Sequence, residues 1–200
     1  MVLDERWHFI HDAINIAVLP LVIAANLLYL LLGDQHADLQ FLCFFAYIVF
    51  DTLFIMLKPN CVASPGVIIA HHLLVVFGWS LMMLDSTFYR WVSYGILVEI
   101  NTWFHVLRRN FRSSTVIQVM FFVSWFLLRD VMYPLVLFQF TFEYYRFSIE
   151  QDSFLNGALL ILLLMALLTV LNLKWTVDLS RKFKIHNYRI VFDEKHDKGM

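Results

Sequence analysis

Six stretches of the chain are apolar enough, and long enough, to cross a membrane as helices. A transmembrane helix needs roughly 20 largely apolar residues to cross about 30 Å of hydrocarbon. The six predicted spans are 13–32, 39–57, 66–84, 88–107, 115–138 and 154–174. Short segments with charges or turn residues separate them. The sequence therefore predicts an all-α polytopic membrane protein, a bundle of six transmembrane helices.

The composition excludes a soluble domain. Of the 200 residues, 60% are hydrophobic and 16% are charged, whereas soluble domains have about half and about a quarter. A soluble domain of this size exposes too much surface to bury that amount of apolar side chain. The net charge of −1 leaves no basic surface for nucleic acid, so we expect no nucleic-acid partner.

The distribution of lysine and arginine predicts the orientation. With the amino terminus in the cytosol, twelve of these residues lie in inner segments and two in outer segments, and such a bias marks the cytosolic side. We therefore expect a cytosolic amino-terminal segment (1–12), a transmembrane domain (13–179) and a cytosolic tail (180–200).

Ionisable residues inside the spans are energetically costly in hydrocarbon, so we expect each one to have a structural or functional role. Counting about 1.5 Å per residue, Asp51 lies roughly 10 Å above the inner boundary, His71 and His72 roughly 8–9 Å, and Glu99 roughly 14 Å. Three helices thus place ionisable groups in one layer. This layer predicts a polar cavity in the inner leaflet that opens toward the cytosol.

Four further polar residues in spans 4 and 5 are candidate substrate-binding residues: Asn101, His105, Arg129 and Asp130. The same counting puts Arg129 and Asp130 elsewhere, roughly 21 Å up and in the outer half of the bilayer. The alternative role of Arg129 is to fasten span 5 to another helix. Pro134 removes the backbone donor that the Asp130 carbonyl would use, so a kink is expected there.

Two adjacent histidines near carboxylates are compatible with three kinds of site. A histidine oriented by a carboxylate can act as a general acid or base. Histidine with aspartate or glutamate can also bind zinc or iron, or the groups can simply hold the bundle together. Among these, the predicted catalytic residues are His71, His72, Glu99 and Asp51.

We predict no metal at this site. Membrane desaturases and hydroxylases carry many more clustered histidines than this chain does. Here the other nearby candidates in sequence, His8 and His11, lie outside the first predicted span, so the His71–His72 pair stands alone.

Five short segments occur in an order and spacing that resemble one membrane family. They are Tyr-Ile-Val-Phe-Asp (47–51), Ile-Ala-His-His-Leu-Leu (69–74), Val-Glu-Ile-Asn-Thr-Trp-Phe (98–104), Leu-Leu-Arg-Asp-Val-Met-Tyr-Pro (127–134) and Leu-Asn-Leu-Lys-Trp (171–175). With these segments the chain resembles the TLC domain family, which includes ceramide synthases, TRAM translocon proteins and smaller lipid-homeostasis proteins. The resemblance covers nearly the whole chain and implies that His71 and His72 form the functional centre.

The fourth span differs from the ceramide synthase pattern. Ceramide synthases carry a His-Asp pair in the span after the double histidine, and that pair belongs to their acyl-transfer site. This chain has Glu99 followed by Ile100, Asn101 and Thr102. In this segment it is more similar to the small TLC-domain proteins.

The resemblance implies a protein of an internal membrane, such as the endoplasmic reticulum, that acts in membrane lipid homeostasis. Its expected partners are the bilayer and a membrane lipid or fatty-acyl chain, and a homo-oligomer is a further expectation. One alternative is an N-acyltransferase with a histidine base, oriented by Glu99 or Asp51, and acyl-CoA as co-substrate. Another is a non-catalytic cargo or translocon accessory protein. No bound cofactor is expected.

Overall fold

The computed structural model describes residues 3–197, and the side chains of residues 3–181. Over this part of the chain, eight α-helices follow one another, joined by short connections or, between the sixth and seventh, by a π-helical segment. They are α1 (Glu5–Leu32), α2 (Ala37–Leu57), α3 (Pro65–Met82), α4 (Tyr89–Ile96), α5 (Glu99–Asn110), α6 (Thr115–Ser124), α7 (Tyr133–Glu150) and α8 (Gly157–Asp197).

The helices confirm the prediction of an all-α polytopic membrane protein. Five helical stretches within the described residues are long and apolar enough to cross a membrane. They are Glu5–Leu32, Asp34–Leu57, Pro65–Met82, Thr115–Glu150 and Gly157–Arg181. These stretches contain most or all of the predicted spans 1, 2, 3, 5 and 6.

The fourth predicted span, 88–107, is not one continuous helix. It divides into α4 and α5 at Leu97 and Val98. At the break, two backbone amides donate to the carbonyl three residues earlier, which makes the helix tighter there. The Val98 amide donates to the Gly95 carbonyl over 3.3 Å, and the Asn101 amide donates to the Val98 carbonyl over 2.9 Å. The break lies directly before Glu99, so it sets the direction in which α5 presents that side chain.

The first helix begins eight residues before the first predicted span. Asp4 caps it, because its Oδ1 accepts from the backbone amides of Arg6 (3.1 Å) and Trp7 (3.3 Å). An aspartate at this position satisfies amides that have no partner inside the helix. The His8 ring also donates from Nδ1 to the Cys61 carbonyl over 2.7 Å. The start of α1 is therefore held against the loop between α2 and α3.

The helical stretch Thr115–Glu150 contains a π-helical segment, Trp125–Met132. It ends two residues before Pro134, where the missing proline amide is expected to disturb the helix. Wider turns of this kind are rare and are often found at functional sites. Arg129 and Asp130 both lie on this segment.

Away from the ionisable residues, the helices enclose a core of aliphatic and aromatic side chains. α1 packs against α2 and α5, while α3 and α7 both pack against α8. The Trp79 ring contacts Phe44, with ring centroids 4.9 Å apart, and Trp91 contacts Phe140 at 5.3 Å. This packing fixes the helices on either side of the ionisable layer.

Candidate functional site

A cavity of about 430 Å³ lies among α1, α2, α3, α5, the π-helical segment and α8. We call it the chamber. Its wall includes all four predicted catalytic residues, Asp51, His71, His72 and Glu99. The structure therefore places these side chains around one space, although they come from three different helices.

Asp51 is held in the chamber wall by two side chains of α1. It is 6% exposed, and its Oδ1 lies 2.8 Å from His11 Nε2 and 3.3 Å from Asn15 Nδ2. Asn15 is held in turn by Tyr47, whose hydroxyl donates to Asn15 Oδ1 over 3.0 Å. Two turns of α1 thus fix one oxygen of the carboxylate and leave Oδ2 turned toward α3.

His72 lies next to that second oxygen. Its Nε2 is 3.7 Å from Asp51 Oδ2, which is too long for a direct hydrogen bond. Its other ring nitrogen, Nδ1, is 2.9 Å from Thr52 Oγ1. The ring is therefore held at one edge by α2, and its other edge faces a carboxylate across a gap in the chamber.

His71 presents a buried nitrogen without a hydrogen-bond partner. Its Nδ1 is inaccessible to solvent and unbonded among the described residues. The ring packs edge-on against Trp175 with centroids 5.3 Å apart, and it lies 5.8 Å from the ring of His72. An unpaired buried polar atom is costly, so a ligand that bonds to it gains affinity.

A second, narrower cavity of about 90 Å³ lies next to the chamber and shares lining residues with it. We call it the slot. His71, Glu99 and Arg129 line both spaces, so they stand where the two meet. The rest of the slot wall is largely apolar and includes Phe44, Leu74, Val75, Trp79, Met82, Trp91, Val92, Ile96, Val136, Leu164, Met165 and Leu168.

The buried guanidinium of Arg129 joins three segments at this junction. Its Nε donates to Asn101 Oδ1 over 2.8 Å, and its Nη1 donates to Asn172 Oδ1 over 2.7 Å. Its Nη2 donates to Thr102 Oγ1 over 3.2 Å. All three acceptors are neutral, and Glu99 interacts with the guanidinium electrostatically.

This position corrects the depth predicted for Arg129. Counting from Thr115 placed it in the outer half of the bilayer, away from the ionisable layer, but it lines the same chamber as Asp51 and His71. The count failed because the helical stretch that starts at Thr115 runs on to Glu150 for 36 residues. A stretch that long exceeds the bilayer thickness, so its first residue does not mark the hydrocarbon boundary.

The structure separates the other predicted substrate-binding residues. Asn101 and His105 line the chamber, and His105 Nδ1 is buried without a hydrogen-bond partner in the described residues. Asp130 does not line the chamber or the slot. Its Oδ1 instead accepts from the Thr176 hydroxyl over 2.7 Å, which ties the π-helical segment to α8.

Sequence reasoning missed the contribution of α1. His11 was predicted to lie outside the first span, yet it bonds to Asp51. The adjacent Asp12 is 2% exposed, ion-pairs with Arg109 on α5 and accepts from Asn110 Nδ2 over 3.0 Å. The i,i+4 spacing of His11 and Asn15 on one helix face was the available signal.

Metal binding was the second of the three kinds of site that the histidines allowed. Across the part of the chain that the structure describes, no three histidine, cysteine, aspartate or glutamate side chains are grouped so that they could hold a metal ion. The contacts of His72 and His11 go to hydroxyl, amide and carboxylate groups instead.

Comparison with known proteins gives one match. The TLC domain model matches residues 8–181, a range that contains every residue of the chamber and slot described above. The chain belongs to the TLC domain family. TLC domain membership, together with the apolar helices, makes it an integral multi-pass membrane protein and indicates a role in lipid metabolism or homeostasis. No match was found among curated proteins or solved structures.

Proposed function

We propose that this TLC domain protein binds one membrane lipid or fatty-acyl chain and acts through it in membrane lipid homeostasis. The polar end of the lipid occupies the chamber, and the first carbons of its hydrocarbon chain occupy the slot. The observation that carries this proposal is the junction of the two cavities. Polar groups of His71, Glu99 and Arg129 line it, and apolar side chains line the space beyond.

The far end of the chamber supports entry from the cytosolic leaflet. Ser64, Lys174 and Asp178 line that end, and they lie near the inner boundary that the distribution of basic residues predicts. The Lys174 ammonium bonds to Asp178 over 2.8 Å. A headgroup entering here passes an exposed ion pair before it reaches the buried histidines.

The matched test fills the slot with a side chain. Gly95 lines the slot, and a Cβ added there meets no atom within 4 Å, so the backbone there accepts a Cβ and Gly95→Leu should fill part of the slot. Gly66 has equally open surroundings but lines neither cavity, which makes Gly66→Leu the control. Mass spectrometry of lipids that co-purify with each variant should show most of the bound lipid lost from Gly95→Leu and retained by Gly66→Leu. Equal lipid content in both variants would refute the proposal.

A second candidate function is acyl transfer related to that of ceramide synthases. The gap between His72 Nε2 and Asp51 Oδ2 favours it, because a histidine beside a carboxylate suits general base catalysis. His72 would take the proton of an amine or hydroxyl nucleophile as that group attacks the acyl-CoA thioester. The new C–N or C–O bond forms, the C–S bond breaks, and the proton passes to the departing thiolate.

Transfer of a labelled acyl group from acyl-CoA by the purified protein would support this second function. If His72→Gln loses acyl transfer but still binds lipid, His72 is identified as the general base. If both His71→Ala and His72→Ala leave lipid binding and the cellular lipid profile unchanged, the accessory-protein alternative is favoured.

A further inference from the structure

We infer that Thr52 fixes the His72 ring in the form that carries its hydrogen on Nδ1, and that the bare Nε2 and Asp51 Oδ2 together receive a hydrogen-bond donor from the lipid head. The inference rests on the proposed lipid-binding function and adds the chemistry of the headgroup. Thr52 is a positioning residue in this arrangement, because it acts through His72.

The Thr52 hydroxyl already donates its hydrogen to a backbone carbonyl. Thr52 Oγ1 lies 2.6 Å from the Ile48 carbonyl. A carbonyl oxygen only accepts, so a contact this short requires the hydroxyl to donate its one hydrogen there. The contact of 2.9 Å between Thr52 Oγ1 and His72 Nδ1 is then a hydrogen bond only if Nδ1 is the donor.

A neutral imidazole has one N–H, so a hydrogen on Nδ1 leaves Nε2 with a free lone pair. Nε2 belongs to a residue of the chamber wall, and Asp51 Oδ2 lies 3.7 Å away. The chamber thus presents a nitrogen acceptor and a carboxylate acceptor side by side.

The environment of Asp51 keeps its second oxygen available. His11 and Asn15 both bond to Oδ1, and no described side chain makes a hydrogen bond to Oδ2. At 3.7 Å the two facing acceptors cannot bond to each other. The hydrogens of an ammonium group can reach both, and a hydroxyl hydrogen can reach either one.

The chemical class that fits is therefore a long-chain lipid whose head carries an O–H or N–H group. An ether or a quaternary ammonium head offers no hydrogen and would leave both acceptors unpaired. Leaving buried polar groups unpaired is a strong basis for rejecting a ligand.

The first experiment uses NMR of the full-length protein in detergent micelles to determine which ring nitrogen of His72 carries the hydrogen. With ¹⁵N-labelled histidine, the signals of His72 are assigned by their loss in His72→Gln. We expect the N–H signal at Nδ1 and a bare Nε2 in the native protein and in Thr52→Ser, which keeps the hydroxyl. Thr52→Val, which replaces the hydroxyl with a methyl group, should lose this preference. A hydrogen on Nε2 in the native protein, or an unchanged ring in Thr52→Val, overturns the inference.

The second experiment compares hexadecan-1-ol with hexadecyl methyl ether, in which a methyl group replaces the hydroxyl hydrogen and so removes the donor. Native protein and Thr52→Ser should bind the alcohol about tenfold more tightly than the ether, the equivalent of one hydrogen bond. Thr52→Val should show a smaller preference for the alcohol, because its His72 Nε2 is no longer held as an acceptor while Asp51 Oδ2 still accepts. Equal binding by the native protein overturns the inference. If neither probe binds, the proposed lipid-binding function is refuted. The NMR measurement of the His72 ring needs no ligand, so it tests the inference about Thr52 separately from lipid binding.

Discussion

Arg129 Nε donates to Asn101 Oδ1 over 2.8 Å, and both residues are buried. The same guanidinium reaches Asn172 on α8 and Thr102 on α5. One side chain therefore connects the π-helical segment with two neighbouring helices at the point where the chamber meets the slot. The three donors point in three directions, which the planar fork of arginine allows and a lysine ammonium does not reproduce.

Arg129→Lys should keep the charge and lose most of these bonds. We expect the free energy of unfolding to fall by about 1–3 kcal/mol, the cost of leaving buried acceptors unpaired. Arg146 is 64% exposed and pairs with Glu143 on its own helix, so Arg146→Lys is the matched control and should change stability by less than about 0.5 kcal/mol. Thermal unfolding in the same detergent measures both. Equal stability of the two variants would show that the Arg129 bonds do not hold the bundle together.

Glu99 offers a test of charge against hydrogen bonding at the junction. Glu99→Gln keeps the size and some of the bonding capacity but removes the negative charge beside Arg129. We expect the folded protein to remain and its effect on cellular lipid composition to be lost. Glu99→Leu should also destabilise the fold, by about 1–3 kcal/mol for each buried partner left unpaired.

The control for this pair is Glu150→Gln, because Glu150 is 63% exposed and lines neither cavity. It should change neither thermal stability nor lipid composition. If the Glu99→Gln protein keeps its full effect on cellular lipid composition, the charge of Glu99 is not needed for function and its role is structural only.

Cys61 reports on the contact between the start of α1 and the loop after α2. It is fully buried, and this burial raises the pKa of the thiol to about 11. A thiol reacts as its thiolate, so about one molecule in ten thousand is reactive at pH 7. In a Cys43→Ser protein, maleimide labelling should be very slow at pH 7 and rise about tenfold per pH unit up to pH 9.

Unfolding in detergent should make Cys61 label at the rate of a free thiol. The folded protein binds the thiol proton more tightly than the unfolded chain does, so ionisation in the unfolded chain should lower stability as the pH rises above 9. Rapid labelling of native protein at pH 7 would mean that α1 does not cover this loop.

The sequence predicted the helices and the central group of ionisable residues because both depend on strong local costs. Apolar runs of about 20 residues have few alternatives to spanning a bilayer. Asp51, His71, His72 and Glu99 could be placed at one level because each span had a charged or proline-containing boundary close by. Whether these residues form the functional site stays a prediction.

Other features depended on how the helices pack, which depth counting does not capture. His11 joins Asp51 because the Asp4 cap starts α1 early, and the predicted span began after it. Arg129 reaches Asn101 because its helix extends beyond the hydrocarbon. The break before Glu99 carries no proline, and so gave no sequence signal of the kind that Pro134 gave for the π-helical segment.

The predicted orientation leads to a labelling experiment at four exposed loop positions. In a protein without its native cysteines, single cysteines replace Gln35, Asn60, Ser113 or Asp152. The distribution of basic residues predicts that a membrane-impermeant maleimide added to the cytosolic side labels positions 60 and 113. Positions 35 and 152 should label only after the membrane is made permeable. Labelling of 35 and 60 from the same side would contradict the six-span arrangement.

Photocrosslinking can show whether a hydrocarbon chain lies in the slot. A fatty acid with a diazirine a few carbons from its carboxyl group is irradiated with the purified protein, and the modified residues are mapped by mass spectrometry. We expect crosslinks at slot residues such as Val75 and Met82, which should be lost in Gly95→Leu and competed by excess unlabelled fatty acid. Crosslinks confined to the exposed Leu73 and Phe77 on the opposite side of α3, and unchanged in Gly95→Leu, would contradict this expectation.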